Sequence, residues 1–250
     1  MIRVLLCADD TDRIDSAWGT GELVYSISET MEEQGWGKSY GVTRHQLLIH
    51  PDVPYTSHNS SMCFVAEVND TDLDSLTSYA TEYIIKESAS GSDPGLCIAV
   101  PDRLSQPDLL IAFGRKAKEV VITKQEAYSL AQQLGVHLSE HGGTGQGIIG
   151  ALAGVGLRLS GNDGRLRGKL KLKSANGVAD VGSIRSQTNI AMVKSPDGAL
   201  LADDELVRLG DMVKPVMMDG KYVLLVAPIV AGDACGATWQ TLTKQQLKGY

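Results

Sequence analysis

The sequence has few aromatic residues, a deficit of basic residues and no long apolar run. Aromatic residues make up 5% of its 250 residues, which disfavours a surface of stacking rings for single-stranded nucleic acid. The sequence contains 23 Lys and Arg and 30 Asp and Glu, so its net charge is −7. This negative charge disfavours non-specific binding of DNA or RNA. No apolar stretch reaches the roughly 18 residues that a membrane-spanning helix needs.

The cysteine pattern excludes a metal knuckle. The four cysteines lie far apart in the sequence, at Cys7, Cys63, Cys97 and Cys235. Because no CxxC pair is present, the zinc sites built on such pairs are excluded. The apolar run at the N-terminus ends at Asp9 and is too short to form the apolar core of a signal peptide. We therefore expect a soluble, cytoplasmic protein with reduced thiols and no membrane partner.

Strand-like and helix-like segments alternate along the first 157 residues. The apolar run Ile2–Cys7 predicts a buried strand, and Leu23, Ile27 and Met31 recur at helical spacing behind it. This alternation predicts an α+β fold with mixed α/β layers. We expect one region over residues 1–160, with an internal boundary near 60–70 left open, and a β-rich C-terminal module over residues 161–250.

Local signals add several further elements. Thr123 and Glu126 form a capping box at the start of a helix, and a short strand is predicted just before it at Glu119–Ile122. The turn signal Gly161–Gly164 predicts a hairpin whose first arm is Leu157–Leu159. A short helix is predicted near Asp203 to Leu209.

The loop directly behind the first strand contains three carboxylates, Asp9, Asp10 and Asp12. Carboxylates this close together repel one another unless a cation neutralises them. Mg²⁺ is suited to this role because it accepts one or two carboxylates together with phosphate oxygens. An acidic turn that caps the strand is the alternative.

Two glycine-containing segments precede helices. The first, Gly19-Thr20-Gly21, starts the first helix, where free N–H groups suit a phosphate; Thr20 as a plain N-cap is the alternative. The second, Gly142–Gly147, holds four glycines in six residues, which suits close approach to a ligand, although a tight turn also explains it. Neither segment matches a P-loop or a dinucleotide fingerprint.

A stiff loop with two prolines, Pro51 and Pro54, is flanked by polar residues that suit a substrate. These candidate substrate-binding residues are Arg44, His58, Asn59 and Ser60. Further along, the basic ribbon Arg165–Lys173 fits a solvated strand face as well as a phosphate-binding face.

Three motifs resemble the archaeal isoleucine-tRNA agmatidine (agmatinylcytidine) synthetases. The stretch Cys7–Asp12 followed by Gly19–Gly21 is similar to that family's opening, and Gly145–Ala153 is similar to its glycine-rich motif G-x-G-I-I-G-A-L-A. His50–Pro54 and Ser57–Asn59 stand where the family has an Asn-Pro-x-x-Pro loop and an Arg-Gly-Asn-like triplet, with Ser57 in the place of the Arg. The resemblance covers about residues 1–160, and the family's OB-fold and zinc ribbon are not apparent.

The resemblance implies a kinase-like ATP domain combined with a ferredoxin-like domain. It implies ATP and Mg²⁺ as cofactors. The implied catalytic residues are Asp10, Asp12 and Thr20, and the implied metal ligands are Asp9, Asp10 and Asp12. The implied nucleotide-binding residues are Asp9, Thr11, Gly19, Gly21, Gly143, Gly145 and Gly147.

These observations predict a Mg-ATP-dependent phosphoryl-transfer enzyme, a transferase or ligase, acting on a small-molecule acceptor. Two alternatives stay open. One is a tRNA-modifying paralogue that works with a separate RNA-binding subunit, and the other is a non-enzymatic ligand-binding or regulatory protein with the same fold. Assembly into a homo-oligomer is also left open.

Overall fold

The structure is a computed structural model that describes residues 1–53, 59–168, 170, 172–174, 176–211, 213–229 and 234–250. Its contacts divide the chain into unit 1, Met1–Ser160, and unit 2, Gly161–Tyr250. The combination of helices with a mixed sheet confirms the predicted α+β class. Within the described ranges, every helix is too short or too polar to cross a bilayer.

The apolar run at the start of the chain forms the central strand of the unit 1 sheet. The strands of unit 1 are β1 (Ile2–Asp9), β2 (Gly37–Gln46), β3 (Ser60–Val68), β4 (Gly95–Ala99) and β5 (His137–Glu140). They lie in the order β5-β4-β1-β3-β2, and each neighbouring pair is antiparallel. Because helices cover both faces of β1, consecutive side chains from Val4 to Ala8 are all apolar and fully buried, whichever face they point to.

The helices of unit 1 enclose this sheet between two hydrophobic cores. They are α1 (Thr20–Glu33), α2 (Leu73–Glu87), α3 (Pro107–Lys116), α4 (Lys124–Leu134) and α5 (Gly147–Leu159), with 3₁₀ turns at Asp70–Asp72 and Pro101–Arg103. Leu23, Ile27 and Met31 of α1 are buried in the core that α1 and α2 share with one face of the sheet. The second core lies between the other face and α3, α4 and α5.

Helix α5 packs so closely that it requires glycine. A Cβ atom on Gly156 would lie 2.0 Å from the carbonyl oxygen of Leu110 in α3. A Cβ on Gly114 of α3 would lie 2.8 Å from the carbonyl oxygen of Ala153. These two glycines therefore set the close crossing of α3 and α5, with backbone against backbone.

Three cysteines form a row across the centre of the sheet. Cys7 of β1 is in register with Cys63 of β3 on one side and with Cys97 of β4 on the other. All three have 0% exposure and belong to the core below α5. Burial raises the pKa of the Cys7 and Cys97 thiols well above its usual range, so these thiols pack as small hydrophobic groups. Cys235 of unit 2 is exposed.

Unit 2 consists mainly of short strands and also contains a helix, α6 (Val181–Gln187). The strands are β6 (Arg165–Leu166), β7 (Val178–Asp180), β8 (Ile190–Lys194), β9 (Leu206–Arg208), β10 (Val216–Met218), β11 (Lys221–Pro228) and β12 (Trp239–Thr241), with a 3₁₀ turn at Gln246–Gly249. Strand β11 pairs antiparallel with β10 and β12 and parallel with β8. Its inward residues, with those of the neighbouring strands, form the core of the unit.

Three local predictions are wrong. The segment Glu119–Ile122 is a turn that joins α3 to α4, with Val120 and Val121 exposed at 44% and 45%. Residues Leu157–Leu159 form the last turn of α5 and not the arm of a hairpin. The helix expected near residues 203–209 is instead β9, because pairing with β7 and β12 overrides the local helix signal.

The crossing of α3 and α5 predicts the effect of Gly156→Ala. Helix propensity alone would make this change stabilising by about 1 kcal/mol. Because the added methyl group meets the Leu110 carbonyl, we expect instead that the free energy of unfolding falls by about 1–3 kcal/mol. Urea unfolding followed by circular dichroism measures it, and a stabilised variant would contradict the close crossing.

Candidate functional site

Unit 1 contains a cavity of about 550 Å³ at the carboxyl end of β1. Two loops that the sequence singles out border it: the acidic loop, residues 9–12, and the glycine loop, residues 142–147. The residues that line it are Asp9, Asp10, Asp12, Thr20, Leu47, Leu48, Asp52, Val53, Asn59, Ser60, Ala117, Val120, Val121, Ile122, Thr123, Lys124, Thr144, Gln146, Gly147, Ile149 and Gly150.

The acidic loop is held tightly at the end of β1. Asp9 is 9% exposed, and its Oδ1 accepts a hydrogen bond of 2.9 Å from the backbone N–H of Asp10. Asp10 has a φ of +53°, in the left-handed region that aspartate tolerates better than most residues. The carbonyl of Thr11 accepts from the N–H of Ala89 at 2.9 Å, so the backbone of this loop is tied to the segment after α2.

A threonine hydroxyl at the start of α1 is paired with this loop. Thr20 Oγ1 donates to Asp12 Oδ1 at 2.9 Å and accepts from Thr11 Oγ1 at 3.0 Å. Thr20 is the first residue of α1, and Gly19 is the N-cap, so the reading of Thr20 as a plain N-cap is wrong. The hydrogen bonds fix a buried hydroxyl beside a carboxylate, an arrangement in which the carboxylate can accept the hydroxyl proton.

Burial shifts the pKa of two aspartates in the acidic loop. Burial, followed by repulsion from Asp10, raises the pKa of Asp9 to about 8. Burial, followed by repulsion from Asp93 and Asp12, raises the pKa of Asp10 to about 6. Ionising both groups at neutral pH is therefore costly unless a cation lies beside them.

The glycine loop is anchored by Asp93, which precedes β4. Asp93 Oδ1 accepts from the backbone N–H of Thr144 at 2.6 Å, and Oδ2 accepts from the Thr144 hydroxyl. The carbonyl of Asp93 accepts from the N–H of Gly147 at 3.1 Å. Gly143 has a φ of +54°, and a Cβ there would lie 1.7 Å from Asp93 Oδ1, so this turn requires glycine.

Helix α5 brings the two loops together. A Cβ on Gly150 would lie 1.6 Å from Asp9 Oδ2, and a Cβ on Gly147 would lie 2.2 Å from the carbonyl oxygen of Asp93. The first turn of α5 can approach the acidic loop only because both positions are glycine. The Asp9 carboxylate therefore lies against the helix start, whose positive dipole end favours a negative charge.

Most predicted site residues lie at this cavity. Asp9, Asp10, Asp12, Thr20, Asn59, Ser60 and Gly147 line it, and Gly143 and Gly145 flank the lining residue Thr144. Arg44, Thr11, Gly19 and Gly21 are outside the lining: Arg44 Nε donates to Ser60 Oγ at 3.0 Å, and the other three support the acidic loop and the start of α1. His58 falls outside the described residues.

Sequence reasoning missed one wall of the cavity and the charges beside the glycine loop. The missed wall is apolar: Leu47, Leu48, Val53, Ala117, Val120, Val121, Ile122 and Ile149. Asp93 and Lys124 were also missed. Val120 and Val121 carried no signal of a site, because β-branched residues in sequence favour a strand, and only the structure shows that they lie in a turn and line the cavity.

A divalent cation fits the acidic loop if waters and phosphate oxygens supply the rest of its ligands. In the part of the chain that the structure describes, no three His, Cys, Asp or Glu side chains are grouped to hold a metal by themselves. Mg²⁺ does not require such a group, because it keeps waters and takes phosphate oxygens beside one or two carboxylates. The buried Asp9 and the half-buried Asp10, which repel each other, are carboxylates of this kind.

Solved structures of similar proteins match part of this chain. The complex of TiaS with tRNA(Ile2) and ATP is 29% identical, with a TM-score of 0.54. This chain contains a TiaS-like segment. A tRNA fluorescent labeling enzyme is 30% identical, also with a TM-score of 0.54, and the complex of TiaS with tRNA(Ile2), AMPCPP and agmatine is 28% identical, with a TM-score of 0.52.

The match to TiaS confirms the resemblance that the three motifs predict, since TiaS is tRNA(Ile2) agmatidine synthetase. Each match covers 62% of this chain and 36% of the solved chain. The chain thus spans about a third of the length of the TiaS structures it resembles. No family model matches the chain, and no curated protein matches it.

The burial of Asp9 predicts how stability depends on pH. The folded state holds the Asp9 proton up to about pH 8, whereas the unfolded state releases it near pH 3.8. The resulting penalty is absent below about pH 4 and grows up to about pH 8. We therefore expect Asp9→Asn to be more stable than wild type without divalent cations, by about 1–3 kcal/mol more at pH 8 than at pH 5.

Urea unfolding at the two pH values, in EDTA, measures this difference. The exposed Asp102 provides the matched control as Asp102→Asn. Equal differences between wild type and Asp9→Asn at both pH values would contradict a protonated, buried Asp9.

Proposed function

We propose that this chain catalyses Mg-ATP-dependent phosphoryl transfer at the cavity between the acidic loop and the glycine loop. The observation that carries the proposal is the hydrogen-bonded chain from Thr11 through Thr20 to Asp12, which places a hydroxyl and a carboxylate at the cavity wall. The nucleotide is supported by the similar TiaS structures, which are complexes with ATP and with AMPCPP.

Asp9 and Asp10 would hold Mg²⁺ together with phosphate oxygens, whereas the predicted third ligand, Asp12, is not grouped with them as a metal-holding triad and accepts from Thr20 instead. When bound, the cation would neutralise charge that develops on the transferred phosphoryl group. The chain's own residues position the reactants: Asp12 keeps the Thr20 hydroxyl oriented, and the glycine loop lets the backbone approach the nucleotide. Positioning and charge neutralisation account for most of the catalysis in phosphoryl transfer.

We further propose that unit 1 combines a ferredoxin-like part with a kinase-like part. Elements β1, α1, β2, β3, α2 and β4 follow a β-α-β-β-α-β order, and their strands lie in the order β4-β1-β3-β2. This order supports the ferredoxin-like assignment. Helices α3, α4 and α5, with the glycine loop, would form the nucleotide-binding part.

The acceptor in our proposal is a small molecule. The cavity volume, about 550 Å³, is within the range of small-molecule sites, and one similar TiaS complex contains agmatine. Ser60 and Asn59, next to the acidic loop in this cavity, would contact the acceptor.

A tRNA acceptor is the second candidate, because two similar structures are TiaS complexes with tRNA(Ile2). The distribution of charge also favours it. Residues 1–160 contain 11 Lys and Arg against 21 Asp and Glu, whereas residues 161–250 contain 12 against 9. An excess of positive charge in unit 2 favours contact with phosphates.

Calorimetry with ATP tests the nucleotide site. We expect wild type to bind ATP in the presence of Mg²⁺ and to bind it at least about tenfold more weakly in EDTA. Asp10→Ala/Asp12→Ala should lose the Mg²⁺-dependent binding because the cation loses Asp10 as a ligand and the Thr20 hydroxyl loses its partner. Asp70→Ala/Asp102→Ala, two exposed aspartates, is the matched control. Wild type that binds no ATP would overturn the proposal.

Turnover tests the catalytic role of Asp12. We expect Asp12→Asn to lower the rate of ATP consumption by about 100-fold or more, since a neutral amide cannot act as a base toward the acceptor hydroxyl or amine that attacks the phosphoryl group, while its melting temperature stays near that of wild type. Assays with agmatine and with tRNA transcript, each with wild type, distinguish the two acceptors. Unchanged turnover in Asp12→Asn would exclude this role, and ATP binding without turnover in wild type would indicate a ligand-binding protein.

A further inference from the structure

Lys124 is the one basic side chain among the described residues that line the cavity. The acidic ones are Asp9, Asp10, Asp12 and Asp52. A nucleotide triphosphate carries several negative charges, so the carboxyl groups of this set that are ionised oppose its entry. A cation at the acidic loop offsets part of this repulsion. A basic side chain that contacts the phosphates would offset more of it, and Lys124 stands beside the glycine loop.

The ammonium group of Lys124 is oriented by two partners. It forms an ion pair with Glu140 Oε2 and donates a hydrogen bond of 2.7 Å to the carbonyl oxygen of Thr144. Its side chain is 27% exposed. An ammonium group has three protons, so these two partners leave one proton for a further acceptor, and Lys124 lines the cavity.

The glycine loop is shaped around this pair. Gly145 has a φ of +72°, and a Cβ there would lie 1.5 Å from Glu140 Oε2 and 2.7 Å from Lys124 Nζ. The loop can pass the ion pair only because this residue has no side chain. Thr144, whose carbonyl oxygen holds the ammonium group, itself lines the cavity.

We propose that Lys124 binds a phosphate group of the nucleotide, with Glu140 and the Thr144 carbonyl as the groups that position it. This inference rests on the proposed ATP site and names the residue that supplies its permanent positive charge. Lysine suits the role because its compact charge and its rotatable donors follow a phosphate oxygen.

Calorimetry with Mg-ATP and with Mg²⁺ and inorganic triphosphate tests the assignment. We expect Lys124→Met to weaken the binding of both ligands by about 10- to 100-fold, the usual range for loss of a charge-assisted hydrogen bond. Lys116→Met is the matched control, because Lys116 forms an equivalent ion pair with Glu126 but lies outside the lining. It should stay within about twofold of wild type.

Glu140→Gln separates a phosphate contact from a structural role. If Lys124 binds phosphate, Glu140→Gln should weaken binding less than Lys124→Met does, because the ammonium charge that contacts phosphate is kept and only one of its positioning partners is altered. If the pair only holds the glycine loop, both changes should weaken binding equally, which would overturn the inference. Melting temperatures verify folding, and Lys124→Gln replaces Lys124→Met if the latter does not fold.

The two proposals fail in different ways. Wild type that binds neither ligand would overturn the ATP site itself, and with it the role of Lys124. Wild type that binds Mg-ATP while Lys124→Met behaves like Lys116→Met would leave the ATP site standing and overturn the role of Lys124 alone.

Discussion

The close approach of α5 to the end of β1 is the constraint on which the site depends. Gly147 and Gly150 let the first turn of the helix contact Asp93 and the Asp9 carboxylate, at positions where a Cβ would overlap them. If the helix start were farther away, the acidic loop would be open to water, and the glycine loop would lose its anchor at Asp93. The absence of side chains at Gly147 and Gly150 therefore determines both the burial of the acidic loop and the shape of the cavity.

This arrangement places stability and function in opposition. Asp9 would be more stable as a neutral group in its buried position, yet its charge is what a cation needs. Natural sites accept such a cost where a ligand removes it. Beside the glycine loop, Lys124 forms an ion pair with Glu140, so the cavity lining combines the carboxyl groups of the acidic loop with one cation at the glycine loop. A ligand that carries both a cation and phosphates matches this combination.

The sequence predicted the elements that have strong local signals. The strand of Ile2–Cys7, the helix that starts at Thr20 and the capping box of Thr123 and Glu126 are all present, because each is determined by its own neighbours. The acidic loop was recognised because three carboxylates after a buried strand are unusual. The β9 strand was missed because its identity depends on pairing with β7 and β12, which are distant in sequence.

The site was predicted in part for the same reason. Motif residues were visible, but most of the apolar wall lies outside the motifs, and the capping box around Lys124 predicts a helix start and not a ligand contact, so only the fold brings these residues to the cavity. Arg44 had the right chemistry for a substrate, yet it lies outside the cavity lining and donates to Ser60. Residue type indicates what a side chain can do, whereas register and helix packing decide where it points.

The row of Cys63, Cys7 and Cys97 has a consequence for following the folding of this chain. Each of the three adjacent strands β3, β1 and β4 contributes one inert thiol with 0% exposure, whereas the thiol of unit 2, Cys235, is exposed. Alkylating reagents require a solvated thiolate, so the three buried thiols react only when the sheet separates. The chain thus carries its own reporter of local opening: modification of one cysteine marks the native protein, and modification of the other three records how often strands β3, β1 and β4 part.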